Sequence, residues 1–341
     1  MAERVAVGII GAGRIGRLHA EDLATRIPEA RLAAVADINP EAAAGCARDF
    51  GVELASGDYR ELLARPELAA VVICSSTDTH AALIAEAAAA GKHVFCEKPI
   101  ALDLPVIDRA LDAVARAGVK LQIGFNRRFD ATFRAVREAV AAGKVGTPHL
   151  LRITSRDPAP PPLDYIAVSG GIFLDMTIHD FDLARYLLGD EVVEVYATGG
   201  VLVDPAIGAA GDLDTAVTTL RFAGGAIGVI DNSRRAVYGY DQRVEVFGSG
   251  GMVAAGNEQP HRATLSDAAG VHAALPHHFF LERYRESYVA ELREFVAAIR
   301  EDRTPPVTGD DGRVPVAIGL AAQRSVAEKR PVRVDTVGGR Q

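Results

Sequence analysis

The chain has 341 residues, 49% of them hydrophobic and 24% charged, with a formal net charge of -8. That length points to two domains with sizeable cores, and an acidic balance without clustered Lys and Arg excludes a nucleic-acid binder, because a phosphate backbone selects dense positive charge. A strand begins almost at once, without a basic leader, and the longest apolar stretch, AALIAEAAAAG, is too short for a bilayer, so a cytoplasmic protein without a membrane partner is expected.

Up to residue 125, strand-like and helix-like stretches alternate. VAVGII, RLAAVADI, AAVVICSS, HVFCE and KLQIGF are short apolar or β-branched runs, as expected of strands buried on both faces. Helical stretches lie between them: RIGRLHAEDLATRI, then one opened by Asn39 and Pro40 as N-cap and first-turn residue, then DTHAALIAEAAAAG closed by Gly91. This alternation predicts a doubly wound α/β domain with a parallel sheet over residues 1–125.

From residue 126 to 341 the pattern changes. The helix ATFRAVREAVAAGK leads to the strand HLLRITSR, the loop DPAPPPLD and one long helix, FLDMTIHDFDLARYLL. The strands VVEVYATGG, DTAVTTLRF, GAIGVIDNSR and QRVEVFG then follow with Gly-rich turns, which predicts an α+β domain built on a mostly antiparallel sheet. Two helices, FFLERYRESYVAELREFVAAI and VPVAIGLAAQRSVAEK, close the chain.

The first strand runs into Gly11-Ala12-Gly13-Arg14-Ile15-Gly16, a G-x-G-x-x-G at the start of a helix. Gly11 allows a tight turn, Gly13 the approach of a pyrophosphate, and Gly16 close helix–strand packing. Unpaired N–H groups at a helix start favour the phosphates. Asp37 ends the second strand, where a carboxylate accepts hydrogen bonds from a ribose diol and repels a 2′-phosphate. Neither Ile38 nor Asn39 supplies a cation for such a phosphate, so NAD is the expected cofactor. Ser75, Ser76, Thr77 and His80 follow the third strand, and Glu97 and Lys98 end the fourth, all at the edge where such sheets bind ligands. Thr77 or Asp78 serves equally as a helix cap, and Lys98 on spacing alone reads first as a solvated surface charge. Lys98-Pro99 is a candidate cis bond.

Asp175, His179 and Asp182 stand at i, i+4 and i+7, one face of a regular helix, beside the apolar stripe Leu174, Ile178, Phe181 and Leu188. Alcohol oxidation needs an acceptor for the hydroxyl proton; histidine titrates near neutrality, and a carboxylate orients the imidazole. A capped helix with solvated charges is the bland alternative. No metal is expected, because no second histidine cluster accompanies these ligand types; His277-His278 reads as a loop or cap. Three cysteines, Cys46, Cys74 and Cys96, lack metal or disulfide spacing.

GAGRIG, the EKP tripeptide and a D-x-x-x-H helix, in this order, resemble the Gfo/Idh/MocA oxidoreductase family over essentially the whole chain. The longer strings ICSSTDTH, FCEKPI, QIGFNRRFD, ITSRDPAPPP, GGIFLDMTIHDFD and YGYDQRVEVFGSGG are similar to those of members acting on inositols. The resemblance implies Lys98, Asp175 and His179 as catalytic residues, with His179 the proton acceptor, Asp175 its orienter and Lys98 a hydrogen-bond donor sharing the relay. It further implies polyol contacts from Asn126, Arg127, Asp157, Tyr238 and Tyr240, the last three reading equally as loop residues. A homotetramer formed through the open sheet face is also implied. The implied reaction is NAD-dependent oxidation of myo-inositol to its 2-keto derivative. Alternatives are another inositol isomer or a sugar, a redox-neutral glycosidase retaining NAD, and a non-catalytic sensor.

Overall fold

The computed structural model describes residues 4–338. By contact density the chain divides into two compact units, Met1–Phe129 with Glu286–Val316, and Asp130–Arg285 with Ala317–Gln341. The boundary expected at 125/126 lies close to the first crossing, but the segment 286–316, counted with the second half in the sequence reading, belongs to the first unit.

In the first unit, β1 (Val5–Ile10), α1 (Arg14–Thr25), β2 (Ala30–Ala36), α2 (Pro40–Phe50), β3 (Leu54–Ser56), α3 (Tyr59–Leu63), β4 (Ala70–Ile73), α4 (Thr77–Ala89), β5 (His93–Glu97), α5 (Leu104–Ala117) and β6 (Leu121–Gly124) alternate. The six parallel strands lie in the order β3-β2-β1-β4-β5-β6, the doubly wound pattern expected from the apolar runs. Asn39 caps α2 by accepting the N–H groups of Glu41 and Ala42, with Pro40 opening the helix. Val7, Ile9, Val35, Val72 and Phe95 are fully buried, and Val289, Leu292, Phe295 and Val296 of the returning segment complete this core. The Phe95 and Phe295 rings meet edge to face at 5.9 Å.

The second unit contains α6 (Ala131–Ala141), β7 (Pro148–Arg156), α7 (Leu163–Ile166), α8 (Gly171–Asp175), α9 (Ile178–Leu188), β8 (Val192–Gly200), α10 (Pro205–Ala209), β9 (Thr215–Phe222), β10 (Ile227–Ser233), β11 (Asp241–Gly248) and β12 (Gly251–Ala255). A hairpin of β13 (Thr264–Asp267) and β14 (Gly270–Ala273) and the short α11 (Phe280–Arg283) follow. The chain goes on through α12 (Arg285–Arg300), α13 (Gly309–Glu328) and β15 (Val332–Arg333). Seven strands form one sheet, β12-β11-β7-β10-β9-β8-β15, antiparallel except where β10 runs parallel to β7. One face is covered, and the other carries alternate residues to the surface. Register aligns Met252, Phe247, Leu150 and Ile227 as one cross-strand row, and all four are exposed.

The single helix expected over FLDMTIHDFDLARYLL is broken at Met176–Thr177. Thr177 donates its N–H to the Ile172 carbonyl, five residues back, at 2.9 Å, and its hydroxyl lies 2.9 Å from Asn232 Oδ1. A hydroxyl that bonds across to β10 competes with the regular ladder, and the extra residue shifts the helical phase. The apolar stripe survives this: Leu174, Ile178, Phe181 and Leu188 are all buried.

Candidate active site

In the first unit, parallel strands bring their carboxyl ends to one edge, so the Gly11 turn, Asp37, the 74–77 segment and Glu97–Lys98 line up there. Gly11 has φ +98°, and a Cβ on it would lie 2.7 Å from the Cys74 carbonyl carbon. A Cβ on Gly16 would lie 1.8 Å from the Gly11 oxygen, so helix and turn touch directly. Around Gly13 nothing lies within 4 Å of an added Cβ. Gly13 also starts α1 without any side-chain cap, which leaves helix N–H groups facing an open cradle suited to a diphosphate. Arg14 and Ile15 follow it in the first turn of α1.

The Asp37 carboxylate accepts the N–H of Ala12 at 2.6 Å and of Asn39 at 2.8 Å. It therefore fixes the glycine turn itself. Ile38, beside it, is 96% exposed. Ser76 starts α4 without a side-chain cap, Thr77 opens the helix, and the Ser75 hydroxyl pairs with Thr79 at 2.6 Å. His80 is buried, its ring nitrogens 2.8 Å from the Pro99 carbonyl and 3.0 Å from that of Ser75. The role this supports is a strut that joins the segments after β4 and β5, and Lys98-Pro99, at the second of them, is cis.

Beneath this edge, Glu97 Oε1 lies 2.8 Å from His19 Nε2. Glu291 is fully buried; burial, then Glu97 and Asp22, push its carboxyl well above the usual carboxylate range, which favours its protonated form. Burial likewise pushes up the Cys74 and Cys96 thiols, which makes both poor nucleophiles. Asn126 and Arg127 follow β6 in a short 3-10 turn, and both are buried.

In the second unit, Asp175 ends α8 and His179 lies in the first turn of α9, both half-buried. Asp182, expected on their face, lies three residues after His179 in α9 but is fully buried. Both Asp175 oxygens have donors: the Tyr165 hydroxyl at 2.8 Å and Arg234 at 3.1 Å. The second Arg234 nitrogen bonds Asp212 at 3.1 Å. Burial, with Asp175 next in weight, raises the Tyr165 hydroxyl pKa and keeps it a donor. Asp157 lies alongside: its N–H donates to the Ser233 carbonyl, and its own carbonyl accepts the N–H of Ala236.

The two tyrosines of YGYDQR each have partners in the chain. Tyr238 donates to Asp241 at 2.6 Å and accepts from Arg156 at 3.2 Å, and Tyr240 is buried with its ring edge-on to Tyr284 at 5.9 Å. His277 and His278 precede α11, where the backbone N–H of His278 donates to Glu282. Tyr165, Asp212 and Arg234 were not singled out from the sequence. The pair Gly170-Gly171, both at positive φ at the N-cap and first residue of α8, was the one local sign of a constrained entry.

A family model described as an oxidoreductase family with an NAD-binding Rossmann fold matches residues 5–125, and that of the GFO/IDH/MocA C-terminal domain matches residues 133–254. The chain is 54% identical to the myo-inositol 2-dehydrogenase of Thermotoga maritima, over 98% of this chain and 99% of that one. It is 49% identical to an inositol 2-dehydrogenase of Rhizobium meliloti, over 97% and 99%. The structure of scyllo-inositol dehydrogenase from Lactobacillus casei, with bound NAD(H) and scyllo-inositol, superposes with a TM-score of 0.90 at 31% identity, covering 97% of this chain and 99% of that one. On this evidence the chain belongs to the Gfo/Idh/MocA oxidoreductase family.

Proposed function

We propose that this protein is an NAD-dependent dehydrogenase that oxidises a ring hydroxyl of an inositol, myo-inositol to its 2-keto form. The observation that carries this reading is the open Gly13 cradle with Asp37 fixing its turn, in a chain 54% identical to a myo-inositol 2-dehydrogenase. Bound NAD supplies the acceptor for the hydride leaving the carbon.

The residues of the chain handle position and proton. His179 takes the hydroxyl proton, because a neutral imidazole accepts a proton near neutral pH where an ion-paired carboxylate does not. Lys98 donates a hydrogen bond to the reacting oxygen and shares the relay. Asp175, anchored by Arg234 and Tyr165, orients the imidazole and accepts a ring hydroxyl. Asn126, Arg127 and Asp157 supply further polar partners, since a ring with many hydroxyls needs several contacts to select one carbon. Tyr238 or Tyr240 supplies a further hydroxyl to the polyol.

The exposed row Met252, Phe247, Leu150 and Ile227 supports a homotetramer formed through the open sheet face, since a flat apolar sheet surface of this kind calls for cover. Free Cys46, Cys74 and Cys96 support a reducing, cytoplasmic setting, and among the described residues no helix is long and apolar enough to cross a membrane.

The test is absorbance at the NADH band with NAD and myo-, scyllo- and chiro-inositol, glucose and xylose. Fastest turnover with myo-inositol is the expected result, and preference for another polyol moves the substrate. His179→Ala is expected to abolish turnover while NAD still binds in a fluorescence titration; full activity in that variant would refute the role of His179.

A further inference from the structure

We propose that Asp212 and Arg234 form a bracket that sets the position of Asp175, and that both are positioning residues for the dehydrogenase reaction. The inference rests on the functional reading above.

Helix α8 has only five residues, and Asp212 reaches both of its ends. One carboxylate oxygen accepts the N–H of Ile172, in the first turn, at 2.9 Å. The other bonds Arg234, which bonds Asp175, the last residue, at 3.1 Å. A helix this short has too few internal hydrogen bonds to hold its own register, so its ends take the position of whatever ties them.

The surroundings are shaped for this contact. Gly171 has φ +78°, and a Cβ on it would lie 2.7 Å from Asp212 Oδ1. A side chain at 171 would therefore be strained by its backbone and would collide with the bracket. The Gly170 carbonyl is held by the Gln323 amide at 2.9 Å. Arg234 has a side chain only 1% exposed, and its backbone N–H donates to the Asp214 carbonyl at 2.8 Å. Asp212 is thus two residues from the anchor of the arginine it pairs with.

The charges agree with the geometry. A guanidinium stays protonated and presents donors in a fixed plane, which suits bridging two carboxylates. Asp175 and Asp212 outweigh the burial of Arg234 and hold its pKa above the ordinary arginine value. Tyr165, from α7, donates to the other oxygen of Asp175. One flank of Asp175 is then fixed by a cation whose own place depends on Asp212.

The experiment compares Asp212→Asn, Arg234→Lys, Arg234→Met and Asp175→Asn in the full-length enzyme, with NAD saturating and myo-inositol varied. Asp212→Asn keeps an oxygen for the Ile172 N–H and removes the charge facing Arg234, so it tests the bracket without emptying the site. Expected are a fall of tenfold or more in kcat for Asp212→Asn, a smaller change in KM, and NAD affinity within threefold of the parent. Arg234→Lys should retain more activity than Arg234→Met. Asp212→Asn added to Asp175→Asn should cause no further loss, because both act through one group. Parent-like kcat in Asp212→Asn, or full additivity with Asp175→Asn, would overturn the bracket. Parent-like turnover in Asp175→Asn would instead overturn the functional reading beneath it. If Arg234→Met fails to fold, Asp212→Asn and the double variant still decide the question.

Discussion

Gly13 and Gly16 stand three residues apart in one motif, and the structure assigns them opposite sensitivities. Gly13→Ala adds a methyl group where no atom lies within 4 Å, at a backbone φ of -71° that any residue adopts. Folding stability should then change by no more than about 0.5 kcal/mol, the usual range for an unobstructed surface substitution. The same methyl occupies the cradle in front of the α1 N-terminus, so NAD affinity should fall about 10- to 100-fold, or about 1.4–2.7 kcal/mol. Gly16→Ala puts its Cβ 1.8 Å from the Gly11 oxygen, so helix or turn has to move by more than 1 Å before an ordinary contact is restored. Overpacking of that kind costs about 1–3 kcal/mol of stability and displaces the turn as well. Urea denaturation and isothermal titration with NAD on both variants separate the two effects. If Gly13→Ala bound NAD as tightly as the parent, the cradle would not be the diphosphate site. If Gly16→Ala were as stable as the parent, the close approach of helix and turn would be wrong.

Glu291 holds a proton in the folded state at pH values where the unfolded chain has released it. The folded state therefore binds more protons, and its stability falls as pH rises from the ordinary carboxylate range towards the raised value, by up to about 1.4 kcal/mol per pH unit. Glu291→Gln cannot release that proton, so its urea midpoint should change less between pH 5 and 8; parallel curves for parent and variant would count against the assignment. On the open sheet face, Leu150→Glu places a charge inside the apolar row and should yield a smaller species by light scattering. An unchanged mass would point to another surface for assembly.

Much of the first unit was legible because its strands are continuous apolar runs and its helices carry explicit start and stop residues such as Asn39, Pro40 and Gly91. β3 escaped because three residues, Leu54–Ser56, are too few to show any period. The hairpin of β13 and β14 escaped because its residues are exposed on both faces, so no alternation marks it. The break at Met176–Thr177 has no Gly or Pro to announce it; it depends on the hydroxyl of Thr177 meeting Asn232, fifty-five residues on. The glycine turn and its Asp37 were readable because close backbone approach admits few residue types. Arg234 was not, because an arginine after a strand reads as a surface charge until Asp175 and Asp212 are seen around it.

The apolar periodicity of α12 shows which of its faces is buried but not which sheet it covers. That it finishes the first unit has a consequence for biosynthesis. Val289, Leu292, Phe295 and Val296 are buried against the parallel sheet. At about 1.5–3 kcal/mol for each large apolar side chain, they contribute on the order of 6–12 kcal/mol, comparable with the whole net stability of a domain. A nascent chain that has left the ribosome only as far as residue 129 has every strand of the dinucleotide fold and lacks the helix that closes its core. The dinucleotide fold must wait for the segment 286–316 before it is secure, and residues 1–129 expressed alone should be aggregation-prone.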